Sequence, residues 1–517
     1  MNEQKVSLPR NKKKIAIISL LVLVPVVIIA FVFFLRQDEP GGTVSLPEEF
    51  AHLPVVPGMV QPGAGVAVAV GSEIDRELLF EDLDYFLYVL ENNFCLIDVT
   101  DRAHGVDIRA AVENVRREIA ANQNIGVDEF HALLWRYFHI LSSGANLNFL
   151  SRALHQFFLD NPPVARWYFN PASLARLEYP HVLSRLESRP NFTEVESFAW
   201  QFMNMQEGAI TEAVEGMGLP GERAYAAAEL SQLISEGRYI DAGVVYYDLM
   251  REISTAEALV TTDIIEPGRI AHLNLAHFPF APESDAAGDM VLGFLDEIEG
   301  FEHLIIDMRM VINPGNVGFF LDNLFRPNLS TRHDVNGFGF ARSGYYNRDY
   351  LDNLTQRSAS TMIPFRAVSD AIPVSEIISA NDLPEAETLD LARMEYGFPI
   401  RLSLMPNHIS RFDGSAFDGK IWLLTNRFNR GAAEFAARLS KNTGFATLVG
   451  ERTGGGLGGP QIVVALPNTG IVFHMETFYL TDEYGRPFEA GTYPHHFNRD
   501  GLDALETVLE LIAEGEF

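Results

Sequence analysis

GKIWLLTNRFNRGAAEFAARLSKNTGFATLVGERTGGG, residues 419–456, changes its hydrophobic period twice. Ile421-Trp422-Leu423-Leu424-Thr425 is a short apolar run fit for a buried strand. Asn426 to Gly431 reads as a polar turn. Ala432 to Leu439 is built of good helix formers and sets Phe435, Ala436 and Leu439 on one face. Asn442 and Gly444 stop that helix. Phe445 to Val449 reads as a second strand, and the glycine-rich run from Thr453 to Gly459 as a loop. A strand, sharp turn and helix in this order bring the first free N–H groups of the helix, and the positive end of its dipole, to a sheet edge. Enzymes that attack carbonyls place a nucleophile at such an elbow and use those N–H groups to bind the oxyanion.

Further motifs extend the pattern. Residues 419–425, Ala432-Ala433-Glu434, residues 446–455, Leu466-Pro467-Asn468-Thr469-Gly470 and residues 489–494 together resemble the tail-specific, C-terminal-processing serine peptidases, a family that includes the tricorn core protease. The resemblance implies an α/β fold. Its core would be a crotonase/Clp-like assembly of ββα units, with an N-terminal helical subdomain.

The resemblance also assigns positions. The family nucleophile lies three residues before the glutamate matched by Glu434, which is Gly431 here. The histidine base of the tricorn-like branch matches Asn146, or Ala145 after a one-residue slip. Neither side chain takes up a proton near neutral pH. The lysine of the Ser/Lys branch matches Gly456. Glu489 matches a family glutamate. The oxyanion donors would be the backbone N–H groups of Ala432 and Gly315. Gly315 follows Asp307-Met308-Arg309 after Met310-Val311-Ile312, where relatives have one glycine.

A nucleophile and a base are therefore both missing from their family positions. The reading is a pseudopeptidase that binds peptides or protein C-terminal tails without cutting them. Two alternatives stand beside it. One is an active serine peptidase with relocated groups, drawn from Ser142, Ser143, Thr425, Ser440 and Thr453 with His495 or His496 as base. The other is a structural or assembly partner whose cleft is filled. No cofactor is expected. His495-His496 has no second pair at ligand spacing, so no metal is expected. Gly454, Gly456 and Gly459 spell a dinucleotide-type fingerprint, but Pro460 and a strand-like run follow where a helix is required.

Bulk properties narrow the partners. The 517 residues carry a net charge of −30. Residues 1–36 hold six basic residues and one acidic, leaving 33 basic against 68 acidic and a net of −35. That balance repels nucleic acid. The single cysteine, Cys95, sits between Phe94 and Leu96 and reads as a buried structural thiol.

In chain order, residues 1–14 form a basic tail expected to stay cytoplasmic. Residues 15–35 are an uncharged apolar run of 21, long enough to cross a bilayer as one transmembrane helix. The expectation is a protein held at the plasma membrane by a single uncleaved anchor, with its bulk extracytoplasmic; a cleaved signal peptide is the rival, though its apolar region is usually shorter, about 7–15 residues. Residues 36–75 read as a linker. Residues 76–150 carry three helical periodicities and read as the N-terminal helical subdomain. Residues 151–258 are a mostly helical insertion. Residues 259–517 are the peptidase-like core, with 324–418 an excursion from it. Within the excursion, the aromatic stretch 340–347 either lines a cleft or packs the excursion onto the core, and residues 382–391 read as a mobile acidic loop.

Overall fold

The apolar run at 421–425 becomes the middle of a six-stranded sheet. The computed structural model describes, with short gaps, residues 74–162, 259–351, 370–405 and 417–515, together with 55–56, 59–60, 366–367 and scattered positions between 177 and 245. The basic tail, the anchor at 15–35, most of the linker and most of 151–258 lie outside the described residues, as do Ser142, Ser143, Ala145, Asn146 and Gly315. Among the described residues no helix is long and apolar enough to cross a membrane.

The N-terminal helices are α1 (Arg76–Asn93), α2 (Thr100–His104), α3 (Ile108–Ala121) and α4 (Val127–Phe138), followed by β1 (Asn148–Leu150) and α5 (Arg152–Asp160). The core runs β2 (Val260–Glu266), β3 (Ile270–Leu275), α6 (Glu283–Glu297), β4 (His303–Asp307), β5 (His333–Ala341), α7 (Thr388–Leu391), β6 (Tyr396–Leu404), β7 (Lys420–Thr425), α8 (Ala432–Thr443), β8 (Thr447–Gly450), β9 (Gln461–Ala465), β10 (Val472–Glu476), β11 (Tyr479–Asp482), β12 (His496–Phe497) and α9 (Ala504–Glu514).

The main sheet has the order β12-β8-β7-β4-β3-β2. Its strands are parallel except β2, which runs antiparallel to β3. Alternate residues point to opposite faces, and both faces are covered. Ile270, Ile305, Trp422, Leu424 and Val449 meet α9 through Val508, Leu511 and Ile512. Leu273, Leu304, Ile306, Leu423 and Leu448 belong to the larger core that also contains Val291 and Leu295 of α6 and Phe435 and Leu439 of α8.

The excursion is woven into the core. Its long strands β5 and β6 pair antiparallel, and β11 from the C-terminal region pairs with β5. Phe338, Phe340 and Tyr346 are buried there, so these rings pack the segment down. A third sheet, β9-β10-β1, takes one strand from the end of the helical region. There Phe149 of β1 stands opposite Phe473 of β10. Phe86 of α1 packs on both of those rings, at centroid distances of 5.4 and 5.0 Å. Asp82 of α1 accepts hydrogen bonds from the Asn468 and Thr469 amides and from the Thr469 hydroxyl, at 2.6–2.8 Å. The Leu-Pro-Asn-Thr-Gly motif is thus the turn that receives the first helix. Cys95 is buried.

Candidate functional site

Strand β7 delivers the chain to a turn fixed by two buried asparagines. The Asn426 side-chain amide donates to the Arg309 carbonyl at 3.0 Å. That of Asn429 donates to the Met308 and Val311 carbonyls at 2.7 and 3.0 Å. The Asn429 side-chain oxygen accepts from the Asn426 amide at 2.7 Å. These bonds tie the elbow to the loop that leaves β4 toward Gly315. Both carboxamides replace water for backbone groups that helix or sheet leaves unpaired.

Gly431 then caps α8 with φ +54° and ψ −112°. A side chain strains this conformation by about 1–3 kcal/mol, and glycine adopts it freely. The Gly431 N–H donates to the Gly456 carbonyl at 2.6 Å, and its carbonyl accepts from Phe435 at 2.9 Å. The next amide, of Ala432, makes no hydrogen bond among the described residues. It is the donor that the resemblance would assign to an oxyanion.

The glycine loop lies directly on the elbow. Gly454 N–H donates to the Asn429 carbonyl at 2.9 Å, and Gly456 N–H to the Phe488 carbonyl at 3.2 Å. A Cβ on Gly455 would stand 1.9 Å from the Glu489 carbonyl oxygen, so the two backbones touch where only hydrogen fits. Gly456, which the resemblance matches to the lysine of the Ser/Lys branch, has φ +73° and carries no side chain.

Beneath the elbow, every residue from Ala432 to Ser440 is buried, charged ones included. The Glu434 carboxylate accepts from Arg438 at 3.1 Å, from the Thr492 hydroxyl at 2.8 Å and from the Thr453 hydroxyl. Arg438 also donates to the carbonyls of Arg486, Pro487 and Gly491 at 3.0–3.2 Å. Burial pushes the Glu434 carboxyl up, and Arg438 with the two threonines opposes that shift. The group locks α8, the glycine loop and the 486–492 segment together.

Glu489 has an arginine for its partner. Arg102 of α2 reaches Glu489 Oε2 at 3.3 Å and Asp390 Oδ2 of α7 at 2.7 Å. The Tyr479 hydroxyl donates to the same Asp390 oxygen at 2.9 Å. Asp390, inside the stretch expected to be a mobile loop, is buried in a short helix. Burial raises the Glu489 carboxyl, Arg102 pulls it back, and Asp390 adds to the rise.

Arg430, next to the elbow, was not foreseen. Its Nη1 is buried and has no hydrogen-bond partner. Burial lowers its guanidinium from the ordinary value, and the fields of Glu489 and Glu434 work the other way. Such an orphan buried donor is rare in native proteins.

Of the hydroxyls considered as substitutes, Ser142 and Ser143 lie outside the described residues, and the other three are occupied or distant. Thr425 donates to the Glu451 carbonyl at 2.9 Å, and Thr453 to Glu434. Ser440 is fully buried nine residues along α8 from Gly431, roughly 13 Å at helical rise. His495 Nδ1 accepts from the Leu448 amide at 2.9 Å. Among the described residues no group of three or more His, Cys, Asp or Glu is placed to hold a metal ion. A pocket of about 660 Å³ lies between α3 and α4, lined by Glu118, Asn122, Ile125, Asp128 and Arg136 among others, and contains none of the elbow residues.

Curated proteins gave no match to this chain. Among solved structures it is similar to a candidate peptidase from Parabacteroides merdae, at 13% identity and a TM-score of 0.43 over 85% of this chain and 97% of that one. It is similar to mature CPAF at 12% identity and a TM-score of 0.44, over 82% of this chain and 92% of the other. For a photosystem II D1 C-terminal processing protease the values are 17% and 0.28, over 49% and 52%. Residues 342–496 match the model of peptidase family S41. That span holds the elbow, the glycine loop and Glu489, the same motifs from which the tail-specific resemblance was read, and over it the chain is similar to this family.

Proposed function

We propose that this protein is a membrane-anchored, extracytoplasmic pseudopeptidase that holds a peptide or protein tail without cutting it. The observation that carries the reading is the elbow itself. Gly431, at the position the resemblance gives to the nucleophile, has no side chain, while the adjacent Ala432 amide makes no hydrogen bond among the described residues. Binding to a carbonyl survives in such a site; attack on it does not. Asn146 at the base position supports the same conclusion, because a carboxamide accepts no proton near neutral pH. The occupied or remote hydroxyls of Thr425, Thr453 and Ser440 weigh against relocated machinery. The crotonase-like core implied by the motifs offers sheet edges on which an extended peptide adds as a strand. The apolar run 15–35 would anchor the chain in the plasma membrane, with 1–14 cytoplasmic and 36–75 as tether.

The test uses the full chain in detergent micelles. A fluorophosphonate probe should label no serine, and a quenched fluorescent peptide library should stay intact. A fluorescein-labelled peptide pool should nevertheless raise its anisotropy on addition of the protein. Proline is tolerated at the first helical position and lacks the N–H. Ala432→Pro should therefore weaken that binding several-fold, as loss of one hydrogen bond predicts, with the melting temperature nearly unchanged. Labelling of a serine, or indifference of binding to Ala432→Pro, overturns the reading.

A further inference from the structure

Lysine is scarce in this protein, and its placement is uneven. The chain has six lysines; four precede residue 15, and the remaining two are Lys420 and Lys441. Lys420 opens β7 and Lys441 ends α8, yet the fold brings both to one neighbourhood. Burial lowers the His495 imidazole from its ordinary value, and the fields of Lys441, His496 and Lys420 add to that shift.

The cations here lack carboxylate partners. Lys441 Nζ donates to the Tyr493 carbonyl at 2.6 Å. Arg452 donates to the Tyr493 hydroxyl at 3.1 Å, and its guanidinium lies 5.2 Å from the centre of that ring. Lys420 Nζ lies 4.9 Å from the Trp422 ring. Among the described residues none of these three forms an ion pair, whereas Arg102, Arg109, Arg116 and Arg269 each meet two carboxylates. On a chain of net −30, three cations without an ion pair among the described residues stand out here.

Two large rings are exposed on the same face. Tyr493 is 54% and Phe497 57% exposed, and they meet edge to face at 6.4 Å. Phe497 belongs to β12, the outermost strand of the main sheet, which has β8 on one side and no described strand on the other. Tyrosine, phenylalanine and arginine are the residues enriched in protein interfaces. An open strand edge adds backbone N–H and C=O groups that an extended chain can pair with.

We propose that Lys420, Lys441, Arg452, His495, Tyr493 and Phe497 form a docking face for an acidic, extended segment of a partner protein. Charge complementarity selects the acidic partner. The strand edge selects a polypeptide over an anionic lipid surface, which has no use for backbone groups. The large negative charge on the rest of the molecule disfavours a long polyanion, whereas a short acidic segment meets only the local field. This face contains neither Gly431 nor Ala432, and the inference stands independently of peptide capture at the elbow.

The probe is the fluorescein-labelled decapeptide (Glu-Val)5, titrated with the full chain in neutral detergent and read by anisotropy. Binding is expected to weaken at least tenfold in Lys441→Gln/Arg452→Gln, and as salt rises from 50 to 500 mM. It should also weaken at least tenfold for (Gln-Val)5. A second variant, Tyr493→Ser/Phe497→Ser, should lose binding while keeping the wild-type circular dichroism spectrum, as should the first. Equal binding by both variants, equal binding of (Gln-Val)5, or no binding of (Glu-Val)5 overturns the proposal. So does binding of phosphatidylserine vesicles through these residues without the peptide, or a concentration-dependent dimer that the variants abolish. Loss of elbow binding in Ala432→Pro with (Glu-Val)5 binding intact separates the two sites.

Discussion

Asp307 ends β4 inside the protein, and Arg309 grips it with Nε at 3.0 and 3.1 Å and Nη2 at 2.7 Å. Arg309 also reaches Asp503, the N-cap of α9, at 2.9 Å. Burial works to raise the Asp307 carboxyl, but His272 and Arg309 outweigh it and hold the group well below the usual carboxylate range. A folded value below the unfolded one means that this contribution to stability is present above the unfolded value of about 4. It is lost as pH falls from there toward the folded value. Asp307→Asn removes one partner of a buried pair, and such a loss costs about 3–5 kcal/mol at neutral pH. Urea unfolding should show that deficit at pH 7 and a smaller one at pH 3. An equal deficit at both pH values would refute the assignment.

Helix α8 shows the same physics spread over an element. Arg438→Met strands the Glu434 carboxylate in a buried site and should destabilise by about 3–5 kcal/mol. The double variant Glu434→Met/Arg438→Met removes both charges and should recover most of that loss, a coupling that a double-mutant cycle in denaturant measures. Additive losses would show that the two residues act separately. The helix itself was legible in the sequence, because Ala432 to Leu439 carries strong helical propensity and Gly444 stops it in the left-handed conformation. Strand β7 was legible as an apolar run, whereas Gly431, Gly456 and Glu489 were assigned by resemblance alone. The burial of Glu434 and Arg438 was not. An amphipathic reading sends charges to solvent, and their partner Thr492 lies 58 residues from Glu434. Asn426 and Asn429 read simply as a polar turn, since their acceptors lie near residue 310. Periodicity reports what a residue does for its own element and says nothing of hydrogen bonds formed after the chain returns.

At the scale of the molecule, Arg102 gathers α2, α7 and the 489 loop. Arg102 is 46% exposed, so the ion pairs themselves are worth at most about 1 kcal/mol. The buried carboxyl of Glu489 matters more. Its folded value is raised, so its contribution is complete below the unfolded value of about 4.3 and lost as pH climbs through the folded value. Glu489→Gln stays neutral throughout. The melting temperature of wild type minus that of the variant should therefore fall between pH 4 and pH 7. A flat or rising difference would show that Arg102 keeps this carboxylate comfortable when ionised.

Strand β1 pairs with β10, so residue 150 meets residue 472. A translating ribosome releases these two positions far apart in time. At about 5–20 residues per second the gap is roughly 15–60 s. Throughout that interval Phe86, Phe138 and Phe149 await Phe473, the ring that completes their cluster. The nascent N-terminal half thus keeps apolar rings uncovered, and shortening the message before codon 472 should yield a chain that aggregates instead of a smaller folded protein.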